Sequence, residues 1–188
     1  EIRSMREIEY RLNTPITHRK DCGQFFTPAS VARLMAKWIV KDDPKSILDP
    51  GFGLGIFYDE IEQINSHKNF QFTGYEIDKL ILSYLSFKQD KKNLKVIDRD
   101  YLESDLNSYD AIIGNPPYLR FQKFLARHDV LPIIEQQIGK NLVGYSNIAS
   151  VFLVKSLHQL NVHGRLAFIM PFEFFNTGYG KEIKKKTK

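Results

Sequence analysis

Short apolar runs that stop abruptly at turn residues alternate with segments of helical period along most of this chain, and that alternation fixes its fold class. Ser46–Leu48 stops at Asp49-Pro50. Phe70–Glu76, Leu94–Ile97 and Tyr109–Ile113 read as further strands, and Arg165–Met170 as a fifth that ends at Pro171. Between them lie helical patterns from Ala29, through about Ile64, over Lys79–Phe87 and over Asn147–Leu160. The expected fold is α/β, with a mostly parallel sheet. Thr27-Pro28 predicts a hydroxyl N-cap with proline in the first helical position. Val31, Leu34, Met35, Trp38 and Ile39 predict the buried face of the helix that follows. Residues 119–143 read as a long functional loop with some helix, broken at Leu131-Pro132.

The chain's 188 residues allow one domain with a sizeable core, and 43% apolar with 26% charged residues fit a folded protein. No apolar run approaches the roughly 18 residues of a membrane helix, so no membrane partner is expected. No signal peptide is visible. Cys22 stands alone, which excludes an internal disulfide framework and points to the reducing cytoplasm. The net charge of +5 sits mostly in the lysine-rich end KEIKKKTK, so charge alone identifies no DNA-binding surface. His18, His67, His128, His158 and His163 show no metal-ligand spacing, and no metal is expected. Cys22 lacks a partner for nucleophilic catalysis.

After the first strand comes a glycine turn, Gly51-Phe-Gly-Leu-Gly55, and then a helix. Glycines let a ligand approach the backbone closely, and a helix start offers unpaired N–H groups. Glu76 ends the second strand about 20 residues on, where an acid accepts ribose hydroxyls. Dinucleotides and S-adenosylmethionine both fit this arrangement. The G-x-G-x-G spacing and the acid before the turn favour the latter: Asp49 suits an ammonium group and would repel a pyrophosphate. Asp100, after the third strand, is placed to accept from an adenine amino group, or simply to cap a turn. Tyr101 beside it offers a ring to pack on that base.

The most specific run is YDAIIGNPPY at 109–118. Four apolar residues carry the backbone to the carboxyl edge of the sheet, Gly114 permits a turn, and Pro116 and Pro117 stiffen the loop. Prolines donate no N–H, so nearby carbonyls stay free to accept. The Asn115 side-chain carbonyl adds a second acceptor, and Tyr118 a flat face. Such a rigid pair suits an exocyclic amino group, whose lone pair is delocalised into its ring. Acceptors that take both N–H bonds favour a pyramidal nitrogen able to attack an electrophilic methyl in line. The base must leave the duplex to get there, and an aromatic ring holds it by stacking.

With these segments the chain resembles the adenine-N6 DNA methyltransferases of bacterial type II restriction–modification systems, in their gamma arrangement. GQFFTP (23–28), ILDPGFGLGIF (47–57), GYEID (74–78), RDYL (99–102), GNPPY (114–118), NIASVFLVKSL (147–157) and GRLAFIMP (164–171) match in order. The resemblance covers roughly residues 20–180. It implies a Rossmann-like α/β methyltransferase sheet with helices on both faces, here C-terminally truncated, and S-adenosylmethionine as cofactor. Thr27 would contact its methionine end, with Asp49, Pro50 and the Gly51, Gly53 and Gly55 turn lining it. Glu76 would hold the ribose. Ile77 and Phe152 would pack near the adenine, and Asp100 would accept from its amino group with Tyr101 alongside. Asn115 and the Pro116 carbonyl would bind the target amino group, and Tyr118 would stack on the flipped base.

The family sheet has seven strands against five here, and the chain opens on Glu1. The expectation is an N-terminal extension (1–22), an incomplete catalytic domain (23–180) and a basic tail (181–188). The implied partners are double-stranded DNA, a target recognition domain in a missing C-terminal part, and a fused or separate restriction endonuclease. Protein-glutamine or ribosomal RNA guanine-N2 methylation, and a cofactor-binding fragment inactive alone, are the alternatives. The GQFFTP segment ahead of the glycine turn argues for DNA.

Overall fold

The computed structural model describes residues 2–64, 69–85, 91–118, 130–139 and 148–171. The basic tail, most of the 119–143 loop and the end of the Lys79–Phe87 helix lie outside these residues. Two helices open the chain, α1 (Ile2–Asn13) and α2 (Ile16–Asp21), and α3 (Ala29–Ile39) follows. Strands β1 (Ser46–Asp49), β2 (Gln71–Glu76), β3 (Leu94–Asp98), β4 (Tyr109–Gly114) and β5 (Leu160–Phe168) form one sheet in the order β3-β2-β1-β4-β5. Every pairing is parallel. Helices α4 (Ile56–Ile64), α5 (Lys79–Ser83), α6 (Val130–Ile138) and α7 (Ile148–Gln159) lie between the strands in sequence. No helix among the described residues is long and apolar enough to cross a membrane.

Side chains alternate across the sheet, as the two-residue period of a strand requires. Leu48 and Ile112 face a core shared with α6 and α7. Ile47, Ala111 and Ile113 face the opposite core, shared with α1, α3 and α4. Helix α7 is buried almost all round because it fills the space under the sheet. Asp110 ties the starts of two strands, its Oδ2 accepting from the Lys45 and Ser46 amides at 2.9 and 3.0 Å.

Four expectations need correction. The α3 helix is capped at Pro28 with no side-chain cap, because the Thr27 hydroxyl is engaged elsewhere. Its buried face is Ala32, Ala36 and Ile39, while Val31, Leu34 and Trp38 are exposed. Small residues let α3 sit close to its neighbours, and cations cover part of Trp38: the Arg165 guanidinium lies 4.3 Å and the Lys41 ammonium 5.2 Å from the ring centre. Leu131-Pro132 starts α6 rather than breaking it, since proline is tolerated in a first turn. The fifth strand begins at Leu160, not Arg165. Its register against β4 shifts between Tyr109↔Leu160 and Ala111↔Arg165, with His163 in a left-handed conformation at φ 65°.

Candidate functional site

The carboxyl ends of β1, β2, β3 and β4 deliver Asp49, Glu76, Asp100 and Asn115 to one edge of the sheet. In a parallel sheet this is the edge where ligands bind. A cleft of two lobes opens there, and Phe25, Phe26, Gly51, Gly53 and Asn115 line both. The larger lobe, about 620 Å³, also takes in Pro50, Glu76, Ile77, Asp100, Pro117 and Phe152, with the edge of Tyr101. The smaller, about 260 Å³, takes in Arg6, Thr27, Leu54 and Asp59. The larger falls in the size range of small-molecule sites.

The turn between β1 and α4 is held from both sides. The Phe52 amide donates to the Tyr75 carbonyl at 2.9 Å, and Gly53 and Gly55 take positive φ of 54° and 78°. The Gly53 amide donates to Glu76 Oε2 at 2.9 Å. Glu76 Oε1 accepts from the Ile77 and Asp78 amides at 2.9 and 2.8 Å. Three of the four acceptor sites of this carboxylate are thus occupied by backbone, and the fourth is on Oε2. Burial nevertheless holds the Glu76 carboxyl above its usual range, against those three bonds.

Asp49 is fully buried under the turn. Its Oδ1 accepts from the Gly51 amide at 3.1 Å, and its Oδ2 has no partner. Burial first, and then the Glu76 charge, push the carboxyl up to about 8 against the Gly51 bond. Asp100 caps the 3-10 turn Tyr101–Glu103, its Oδ1 accepting from the Leu102 amide at 2.9 Å. The capping role weighed for it is therefore real, and the residue lines the larger lobe as well. The Tyr101 ring is core: it lies 5.0 Å from Phe152, and its hydroxyl donates to Gln159 Oε1 at 2.6 Å. Beneath this turn, the buried Lys155 ammonium donates to the Leu102 and Ser104 carbonyls at 2.9 and 2.5 Å.

Asn115 is oriented from the opposite end of the chain. Its Nδ2 donates to the Phe25 carbonyl at 2.7 Å and to Thr27 Oγ1 at 3.1 Å. A backbone carbonyl only accepts, so the atom facing it is the NH₂ group and the amide cannot be flipped. Asn115 Oδ1 is left buried with no donor. Pro116 is buried behind it. Tyr118 is half-buried, its ring edge-on to Phe25 at 5.6 Å and its hydroxyl donating to the Ile169 carbonyl at 2.9 Å.

The structure thus brings Thr27, Pro50, Gly51, Gly53, Glu76, Ile77, Asp100, Tyr101, Asn115, Pro117 and Phe152 to the cleft. Asp49, Gly55 and Pro116 lie behind its surface, and Tyr118 stands beside it, half-buried against Phe25. Sequence reasoning missed His18, Gln24, Phe25 and Asp78, which line the larger lobe. For Gln24 and Phe25 the signal was present in GQFFTP. Asp78 likewise closes GYEID; for His18 there was none, since 60 residues separate it from Asp78, which it meets at 2.8 Å.

The family described as Eco57I restriction-modification methylase matches residues 33–188. The type II methyltransferase M.AccI of Acinetobacter calcoaceticus is 38% identical over 181 residues, 95% of this chain and 33% of that protein. M.HincII of Haemophilus influenzae is 36% identical over 168 residues, 87% of this chain and 30% of that protein. The chain therefore spans about a third of the length of these relatives. The methyltransferase subunit of a type I restriction-modification system from Streptococcus thermophilus superposes with a TM-score of 0.60 at 19% identity, over 78% of this chain and 34% of that one. At that identity the likeness establishes the fold alone.

Proposed function

The chain belongs to the Eco57I restriction-modification methylase family, and from that premise we propose that it is the catalytic part of a DNA methyltransferase that moves a methyl group from S-adenosylmethionine to the N6 amino group of a flipped-out adenine. The observation that carries this reading is Asn115: a fixed amide with a buried carbonyl oxygen that has no donor. A buried acceptor without a partner costs about 1–3 kcal/mol, and a target N–H would remove that cost. The Pro116 carbonyl is the second acceptor. Holding both N–H bonds of the amino group localises its lone pair, so the chain needs no strong general base before attack.

The residues fit the cofactor. When bound, S-adenosylmethionine supplies an electrophilic methyl on a sulfonium. Asp49 Oδ2, buried and unpartnered, is a counter-charge for the ammonium end. Thr27 lines the smaller lobe, which takes the methionine end in this reading. Glu76 offers its remaining lone pair to the ribose. Ile77 and Phe152 give apolar faces for the adenine, with Asp100 at its amino group. Phe25 and Tyr118 form an aromatic wall beside Asn115, on which a flipped base stacks. Double-stranded DNA is the partner this assigns. A target recognition domain and a restriction endonuclease are the further partners proposed for the whole protein, since the family it matches is described as a restriction-modification methylase.

The test is to express the full-length protein in cells without adenine methylation and to analyse their DNA as nucleosides by mass spectrometry. N6-methyladenine is expected, and Asn115→Ala should abolish it while leaving cofactor affinity within a few-fold. N4-methylcytosine in its place, or methyl groups found only on RNA or protein, would overturn the substrate assignment.

A further inference from the structure

His18, Cys22 and Asp78 converge on the wall of the larger lobe, and the three ligand atoms lie within 4.8 Å of one another. The first two are four residues apart, on one face of α2 and its C-cap. His18 Nε2 is 3.8 Å from Cys22 Sγ and 2.8 Å from Asp78 Oδ2. Tetrahedral zinc bound to nitrogen, oxygen and sulfur at about 2.0–2.3 Å spaces those ligands about 3.3–3.8 Å apart. The first separation already matches, and the second needs to open by about half an ångström.

From this geometry we infer a binding site for a borderline-soft divalent cation, of which zinc is the type. The donor set argues for that class: thiolate with imidazole selects zinc over magnesium or calcium, which prefer oxygen. The outer shell is built too. Gln24 Nε2 donates to Asp78 Oδ2 at 2.5 Å, the Tyr10 hydroxyl lies 3.4 Å from the same oxygen, and the Leu80 amide holds Oδ1 at 2.9 Å. Such contacts orient a ligating carboxylate. Burial alone would raise the Asp78 carboxyl, but its bonds to His18, the Leu80 amide and Gln24 keep it below the usual range, and so ready to ligate. The cleft gives an entry path and leaves a fourth position for water.

The proton balance is simple. A carboxylate only accepts, so His18 Nε2 carries the hydrogen that faces Asp78 in the metal-free protein. The cation takes that hydrogen's place: the neutral imidazole changes tautomer, its one proton passing from Nε2 to Nδ1 through solvent, and the Cys22 thiol releases its proton to solvent as the metal–sulfur bond forms. This site stands whatever occupies the rest of the cleft.

The test is a titration of the reduced full chain with Co²⁺, followed by displacement with Zn²⁺. A near-ultraviolet thiolate-to-cobalt charge-transfer band is expected, saturating at one ion per chain and erased by zinc. Cys22→Ser should remove the band. His18→Gln should weaken zinc binding at least roughly tenfold, and His158→Gln should leave it unchanged. Melting curves establish that each variant is folded. A chain with no thiolate band, or zinc affinity equal in the wild type, Cys22→Ser and His18→Gln, would overturn the assignment.

Discussion

Asp49 carries a cost in the free protein that a bound cation relieves, and this makes it a measurable residue. Its carboxyl sits near 8 in the folded chain because burial disfavours the charge, against about 3.9 when unfolded. Between those values the folded state keeps a proton that the unfolded state releases, so stability falls as pH rises from about 4 to about 8 and is flat beyond. Asp49→Asn removes that slope. Thermal melts of both proteins at about pH 5 and about pH 8 should show the variant gaining on the wild type as pH rises, while calorimetry shows it losing cofactor affinity. A variant that loses ground with rising pH would contradict the burial argument. At this scale the sequence was legible where chemistry names the residue: an acid before a glycine turn, an asparagine before two prolines. It was not legible for Thr27. Its hydroxyl fits the local rule for a helix cap, yet an amide 88 residues away engages it. A local rule cannot weigh a tertiary partner.

The glycine turn and β2 depend on one close approach. A Cβ at Gly74 would stand 2.3 Å from Phe52 Cδ2, and Phe52 is buried against Phe72. Gly74→Ala must therefore displace the Phe52 ring or part the turn from the strand. A loss of about 1–3 kcal/mol in denaturant unfolding is expected, and a drop in cofactor affinity, because the Gly53 amide that anchors Glu76 moves with the turn. On the other side of the sheet, Lys155→Met keeps the volume but strips two buried carbonyls of their donor. That should cost about 1–3 kcal/mol and weaken cofactor binding through the turn that carries Asp100. Affinity and stability equal to wild type in Lys155→Met would show that water replaces the ammonium without penalty. Strand ends were legible because Asp-Pro and Gly-Asn-Pro-Pro interrupt pairing in any context. The buried face of α3 was not. Hydrophobicity points to Val31, Leu34 and Trp38, whereas close packing selects Ala32 and Ala36, and cations on the Trp38 ring make its exposure tolerable.

Across the whole molecule, a parallel sheet followed from strand–helix alternation, because each return to the same edge needs a crossover. The place of the first helices did not follow. Tyr10 has no exposed surface and belongs to the same core as Ile47 and Phe72. Its ring meets Phe26 and Tyr84 edge-on at 5.4 and 5.5 Å. Its hydroxyl donates to Gln24 Oε1 at 2.8 Å, which in turn steadies Asp78. Asp78 follows directly on Glu76 and Ile77, and its amide is one of the three that hold Glu76. The N-terminal helices and the cofactor wall are thereby one mechanical unit. Tyr10→Ala should cost about 3–5 kcal/mol, as for other large aromatic truncations in a core, and should weaken cofactor binding beyond what partial unfolding explains. Tyr10→Phe keeps the ring and loses only the hydroxyl bonds, so about 1 kcal/mol is expected. Chemical denaturation of the three proteins, with cofactor titrations under conditions where each is folded, separates packing from hydrogen bonding. Were residues 1–22 a detachable appendage, both substitutions would be silent in stability and in binding alike.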